Sequence, residues 1–199
     1  MDKKLYSYLL LLGFVFTSLF LTSCGDDDEP EEEEVEEVIT DVTLTFTPVG
    51  GGAAITATAT DPDGEGAQGL AVDGPVNLAA NTMYTLTIDL RNSIENESIT
   101  EEIEEEDDEH MFFFSWTDGA FSSPMGNGNV DNRADAVNYA DEDSGMLPLG
   151  LETTWTTGDA SSGSFRVILK HQPEGIKTAT STANDGESDI DISWTLNIQ

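Results

Sequence analysis

The chain contains two histidines, His110 and His171, and their places among the apolar residues point to a specific chemistry. His110 shares an alternating row with Phe112, Phe114 and Trp116, and His171 shares one with Phe165, Val167 and Leu169. Period-two alternation puts such a row on one face of a strand, so each histidine lies at the end of a row that is otherwise core-directed. His110 opens its strand and His171 closes its own. Antiparallel pairing would therefore bring both imidazoles to one end of the fold, beside the acidic run from Glu104 to Glu109. Neutral imidazole completed by carboxylates suits Zn²⁺, Cu²⁺ or Ni²⁺, which makes His110, His171, Glu109 and Asp108 a candidate transition-metal set. The structural alternative is a histidine that caps an apolar strand and hydrogen-bonds a loop carbonyl. It is favoured by the absence of any His-x-His or His-x₃-His spacing.

A second candidate is Asp61-Pro62-Asp63-Gly64-Glu65-Gly66, which offers oxygen ligands from Asp61, Asp63 and Glu65 at the first, third and fifth positions of an EF-hand-like loop, with glycine at the sixth. Calcium favours such oxygens. The twelfth position is Val72 instead of the bidentate Glu that tightens those loops, and Asp-Pro-Asp-Gly is also a strong turn sequence. The run Glu101 to Glu109, broken by Ile103, precedes Met111-Phe112-Phe113-Phe114. Its ordinary reading is a solvated loop that guards an aggregation-prone strand. Trp116 and Trp194 fall on apolar faces, whereas Trp155, flanked by Thr153, Thr154, Thr156 and Thr157, is expected at the surface. No nucleophile elbow, phosphate-cradling loop, zinc-protease helix or Ser/His/Asp set is present. Gly126-Asn127-Gly128-Asn129 reads as a flexible connection. The chain is accordingly expected not to be an enzyme.

The elements that must position these residues are strands. Ile190, Ile192, Trp194, Leu196 and Ile198 alternate with Asp189, Asp191, Ser193, Thr195 and Asn197, as a sheet with one buried and one wet face requires. Val42, Leu44 and Phe46, and then Tyr84, Leu86, Ile88 and Leu90, repeat the pattern. Further strands are expected over 54–60, 110–116, 135–139, 149–157 and 164–171, separated by Gly, Pro, Asp and Asn clusters. With about eight short strands and no convincing helix, the expected class is all-β, an antiparallel, immunoglobulin-like β-sandwich over residues 41–199, with a barrel as the alternative.

The first residues give the address. Lys3 and Lys4 precede an uncharged apolar stretch from Leu5 to Leu21, which ends in Leu21-Thr22-Ser23-Cys24. A positive start, an apolar core and small residues before a cut make residues 1–23 a signal peptide. The Leu-Thr-Ser-Cys lipobox marks Cys24 as the acylated residue that holds the mature chain to a membrane. The run is also shorter than the ~20 apolar residues of a spanning helix. Cys24 is the single cysteine, so no disulfide forms.

Cutting before Cys24 removes Lys3, Lys4 and Asp2, so the 7 basic and 40 acidic residues become five and thirty-nine, and the formal charge goes from −33 to −34. Arg91, Arg133, Arg166, Lys170 and Lys177 are scattered, which excludes nucleic acid as a partner. Residues 24–40 are nearly all acidic at their start and read as a disordered tether.

Cys24 with its acidic follow-on, the Val-Gly-Gly-Gly segment at 49–52, Asp61-Pro62-Asp63-Gly64, Glu109-His110-Met111-Phe112, Leu169-Lys170-His171-Gln172-Pro173 and Asp189-Ile190-Asp191-Ile192 together resemble a small family of Bacteroidota lipoproteins. Its members often carry the label "type 1 periplasmic binding fold superfamily protein". That fold is two-lobed α/β, whereas the alternation here predicts strands without a βαβ rhythm. The acidic block behind the cysteine resembles the surface-export signal of that phylum's lipoproteins, which implies an outer-membrane lipoprotein displayed at the cell surface. The expected function is a non-enzymatic binding lipoprotein, a metal-binding accessory beside an outer-membrane receptor or transporter, with a transition-metal ion or Ca²⁺ as cofactor. The alternative is a structural or adhesive β-sandwich whose partner is a protein or glycan.

Overall fold

A computed structural model describes residues 37–64, 69–173 and 175–199. The signal peptide, Cys24, the tether up to Glu36, and Glu65 lie outside the described residues. Among the described residues no helix is long and apolar enough to cross a membrane.

The domain is all-β and built of two sheets, as the alternation predicts. The first holds β1 (Asp41–Pro48), β2 (Ile55–Thr60), β3 (Ala71–Val72), β5 (Met83–Asn92), β8 (Phe121–Ser123) and β9 (Glu152–Thr157) in the order β3-β2-β1-β5-β9-β8, with β6 (Glu97–Ser98) paired to β5. The second holds β4 (Val76–Leu78), β7 (His110–Trp116), β10 (Ser161–His171) and β11 (Glu187–Ile198) in the order β4-β11-β10-β7. The pairing is antiparallel except between β4 and β11, which run parallel. The expected strand at 135–139 does not form. That stretch runs beside β9 through the Tyr139 to Thr153 bridge and packs Val137 and Tyr139 on the core, with Thr154 N–H donating to the Asn138 carbonyl at 2.9 Å, but it builds no continuous ladder.

The inward rows of β1, β5 and β11 are buried as read: Val42, Leu44 and Phe46, then Tyr84, Leu86, Ile88 and Leu90, then Ile190 through Ile198. Between the sheets Phe46, Phe114, Trp116, Phe121, Trp155 and Phe165 form an aromatic cluster with mostly edge-on geometry, for example Trp116 against Trp155 at 4.9 Å and 88°, an arrangement that suits the ring quadrupoles. Trp155 is thus a core residue with no solvent exposure, contrary to its expected place at the surface. Its strand carries threonine on both faces, so the alternation is invisible in sequence. The inward Thr153 and Thr157 satisfy their hydroxyls internally: Trp155 Nε1 donates to Thr153 Oγ1 at 2.7 Å, and Thr157 Oγ1 donates to the Ala79 carbonyl at 2.7 Å.

The acidic run is not wholly a loop. Residues Ile99–Glu105 form α1, with Ser98 as N-cap, Glu101 and Glu102 in the first turn, and Ile99 and Ile103 buried. Acidic side chains suit a helix N-terminus, and isoleucines at i and i+4 share one face. The run therefore tucks its two apolar residues into the core and leaves its carboxylates outside.

The outer face of β7 is also covered. Met111, Phe113 and Ile168 make a second apolar cluster roofed by Val130, Tyr139 and Ala183. The 126–129 stretch is ordered along the free edge of β7: Trp116 N–H donates to the Asn127 carbonyl at 3.1 Å, Asn129 N–H to the Phe114 carbonyl at 2.9 Å, and Phe114 N–H to Asn129 Oδ1 at 3.0 Å. Gly128 has φ of +98°, and a Cβ there would collide with the Phe114 carbonyl oxygen. Gly128→Ala is expected to cost about 2 kcal/mol or more by urea denaturation. Gly50→Ala, where a Cβ meets nothing within 4 Å, should change stability by less than about 0.5 kcal/mol. Equal effects at the two positions would refute this reading of the Gly128 contact.

Candidate metal centre

β7 and β10 pair antiparallel with His110 directly opposite His171. The two imidazoles therefore meet at one end of the second sheet, as the strand faces predict, stacked with centroids 4.7 Å apart and planes 9° from parallel. His110 is wholly buried, while the His171 side chain keeps 15% of its exposure.

The surroundings of His110 fix its ring. Nδ1 lies 3.1 Å from the Glu106 carbonyl oxygen. A carbonyl only accepts, so Nδ1 carries a proton, and in the neutral ring the lone pair is on Nε2. Metal-ligating histidines are commonly oriented by such a bond from the other ring nitrogen. Nε2 faces Glu37 Oε1 at 3.3 Å, close enough for an ion pair but not aligned for a hydrogen bond, and among the described residues it has no hydrogen-bond partner.

The third group is Asp189. Strict alternation places it on the wet face of β11, but the register slips between Leu169 and Lys170. Leu169 opposes Ile190 while Lys170 opposes Ser188, which leaves Asp189 as the extra residue of a β-bulge. Bulges re-aim side chains, and this one brings the Asp189 carboxylate within reach of His110, with its Oδ2 buried and unpartnered.

Ligand atoms of Glu37, His110 and Asp189 lie within 4.8 Å of one another, as do those of Glu106, His110 and His171. The first set is the better one for an ion. In it Nε2 faces Glu37 Oε1 at 3.3 Å, whereas the Glu106 carboxylate approaches Nδ1, at 4.0 Å, and that nitrogen is already committed to the Glu106 carbonyl. Of the residues expected from sequence, His110 belongs to both sets. His171 belongs to the second set, and its Nε2 lies 3.4 Å from Glu109 Oε2. Glu109 is thus a partner of His171 and a member of neither set. Asp108 is exposed and also outside both, because the chain between α1 and β7 turns it to solvent.

The electrostatics follow from one imidazole facing two carboxylates at low exposure. Burial opposes protonation of His110, yet the Glu37 carboxylate, the Glu106 carbonyl and the charge of Asp189 outweigh it, and its pKa is raised above the usual histidine range. Burial and the neighbouring Glu37 charge push Asp189 up to about 6, against the attraction of the two imidazoles. Glu37 is also raised by burial, but its contact with His110 wins and holds it below the usual carboxylate range. The site is short of positive charge, which a cation would supply.

Glu37 is the residue that sequence reading most clearly missed, since it was assigned to the tether. Folded structure starts ahead of residue 41: Ile39 and Thr40 are buried, Thr40 N–H donates to the Arg91 carbonyl at 2.9 Å, and Ser93 N–H donates to Thr40 Oγ1 at 2.7 Å. The available signal was the apolar pair Val38-Ile39 behind the acidic block.

At the expected calcium loop, Asp61 is buried with Oδ1 unpartnered, while Asp63 is exposed. The neighbouring Asp61 carboxyl raises the pKa of Asp63. Gly64, at φ of +66°, packs against Val38 and Thr40, the turn geometry that Asp-Pro-Asp-Gly favours.

The chain matches no protein-family profile, no curated protein and no solved structure. The site's own chemistry therefore carries the functional reading.

Proposed function

We propose that this protein is an exported, lipid-anchored, non-enzymatic binding protein that holds a divalent transition-metal ion between Glu37, His110 and Asp189. The observation that carries the reading is the wholly buried His110 Nε2, which has no hydrogen-bond partner among the described residues and faces Glu37 Oε1 at 3.3 Å, grouped with Asp189, whose Oδ2 is likewise buried and unpartnered there. Unsatisfied buried polar groups are costly and uncommon in native proteins, and an ion would satisfy both at once. One nitrogen and two oxygens leave room for a further ligand, as expected of a site that exchanges its ion with solvent or with a partner. The lipobox at Cys24 and the acidic block behind it support display at the outer-membrane surface. There the protein would act as a metal-capturing accessory to a membrane receptor or transporter.

The test is thermal melting of the full-length protein in detergent, stripped with chelator and then titrated with Zn²⁺, Cu²⁺, Ni²⁺ or Ca²⁺. A transition-metal ion at a hundredfold over its Kd should stabilise the fold by ~2.7 kcal/mol. His110→Ala should abolish the shift and His171→Ala should retain most of it. No shift with any ion would refute the proposal, and loss of the shift in His171→Ala would move the ion to the Glu106, His110 and His171 set.

A further inference from the structure

The three ligands of the proposed centre come from two different parts of the chain. His110 and Asp189 belong to the second sheet, on β7 and β11, whereas Glu37 belongs to the segment Glu37–Thr40 that leads from the tether into β1. The other end of that short segment is fastened to the first sheet and its loops. Thr40 pairs with the Arg91 carbonyl of β5, its hydroxyl accepts from Ser93 N–H, and its carbonyl accepts from Asp61 N–H at 2.8 Å. The segment therefore spans the end of the sandwich from one sheet to the other. At the second sheet Glu37 Oε1 meets His110 Nε2 at 3.3 Å.

We infer that the bound ion is a clasp: it ties the point where the lipid tether enters the domain onto the second sheet, so that metal occupancy controls how this end of the sandwich is closed. This inference rests on the metal reading above and adds to it a regulated element. Without an ion, the Glu37 carboxylate sits in a buried cluster with the Asp189 carboxylate, with Glu102 and Glu106 nearby, and His110 as its one direct counter-group. Like charges at low exposure repel. An ion bound by Glu37, His110 and Asp189 turns that repulsion into shared coordination, and the segment is the part able to respond because it lies outside the strand ladder, its backbone fastened among the described residues at Thr40. Metal arriving at the domain would thereby stiffen the segment that leads into β1.

The experiment is amide hydrogen exchange on the full-length protein in detergent, with Zn²⁺ as the probe, alongside a direct Zn²⁺-binding titration. Zn²⁺ should slow exchange in the peptide covering Glu37–Thr40 by about tenfold or more, since the protected amides there open locally and not with the global fold. Glu37→Gln should lose that protection and bind Zn²⁺ about tenfold or more weakly, while exchange across β1, β5 and β10 stays as in the parent. If Glu37→Gln perturbs the fold, Glu37→Asp, which keeps the charge and shortens its reach, replaces it with the same expectation. Zn²⁺ bound with no change in the exchange of this peptide, or bound equally by Glu37→Gln, would overturn the clasp and leave the metal site standing. No Zn²⁺ bound by the parent protein would overturn both.

Discussion

Lys177→Met is expected to lower the stability of the domain by about 3–5 kcal/mol, the range for removing one partner of a buried ion pair. The Lys177 ammonium and the Asp143 carboxylate meet at 2.8 Å with side chains 0% and 2% exposed. Lys177 Nζ also donates to the Asp107 carbonyl, and Asp143 Oδ1 accepts from the backbone N–H groups of Gly145 and Leu147 at 2.8 and 2.9 Å. The pair thus pins the loop before β9, the loop before β11 and the end of the acidic run to one another. Burial raises the pKa of Asp143, but Lys177 and the Leu147 and Gly145 N–H groups outweigh it and hold it below the usual carboxylate range.

Methionine keeps the length of Lys177 and removes its charge, leaving an ionised carboxylate with no cation. The sign is fixed by Asp143: with a folded pKa below the unfolded one, the stability it contributes is present above the unfolded value near 4 and is lost as pH falls through the folded value. The deficit of Lys177→Met against the parent should therefore shrink in acid. Urea denaturation at pH 7 and pH 3.5 measures both. The double variant Lys177→Met with Asp143→Asn should recover part of the loss, because no charge is then stranded. A loss under about 1 kcal/mol at pH 7 would place the pair with ordinary exposed salt bridges and refute its fastening role.

Much of this fold was legible because its strands obey a two-residue period. The rows of β1, β5 and β11 follow from alternation alone, and the placing of His110 beside His171 follows from it once β7 and β10 pair antiparallel, as they do. What escaped are departures from the period. The bulge at Asp189 inserts one residue whose effect depends on the partner strand, so nothing in Glu187-Ser188-Asp189-Ile190 announces it. Trp155 is hidden in a run of threonines whose inward members are satisfied inside the fold, Thr157 by the distant Ala79 carbonyl and Thr153 by the Trp155 indole N–H. The helix α1 was masked by its charge, although Ser98 with Glu101 three residues on and isoleucines at 99 and 103 carry a capping and amphipathic signature. Glu37 was passed over because an acidic run suggests a leash, and composition does not mark where the leash ends.

Those departures are also where the candidate centre lies. Two of its three ligands, Glu37 and Asp189, come from places where the simple pattern fails, and the pattern alone accounts for the third, His110. A strand that merely needed to pair would have no use for an extra residue that turns a carboxylate toward a buried imidazole. The bulge costs ladder pairing and exposes Asp189 to the charge of Glu37, so its local effect on the empty domain is unfavourable. Bulges are over-represented beside functional sites for this reason.

The unfavourable term has a measurable pH signature. With no metal bound, the domain should lose stability as pH rises from about 4 to 8. Asp189 has a folded pKa of about 6, above its unfolded value near 3.9. Between those values the folded state binds more protons than the unfolded one, so stability falls as pH rises through the window, by on the order of 2–3 kcal/mol. His110, also raised, acts in the same direction at higher pH: its contribution is full below its unfolded value near 6.5 and is lost as pH rises through the folded pKa. Glu37, lowered, opposes them only in acid, where its contribution disappears as pH falls below about 4.5.

The net acidity of the chain adds a general repulsion of the same sign, so the parent profile alone does not isolate the site. Asp189→Asn does. In chelator the variant should match the parent near pH 4, exceed it by on the order of 2 kcal/mol near pH 8, and show a flatter slope between. Saturating Zn²⁺ should reverse the order at pH 8, stabilising the parent and leaving the variant where it was, because the carboxylate that burdens the empty site is the one that holds the ion. Parallel pH profiles for parent and variant in chelator would show that Asp189 carries no such burden, and the electrostatic argument for a cation at this end of the sandwich would fall with it.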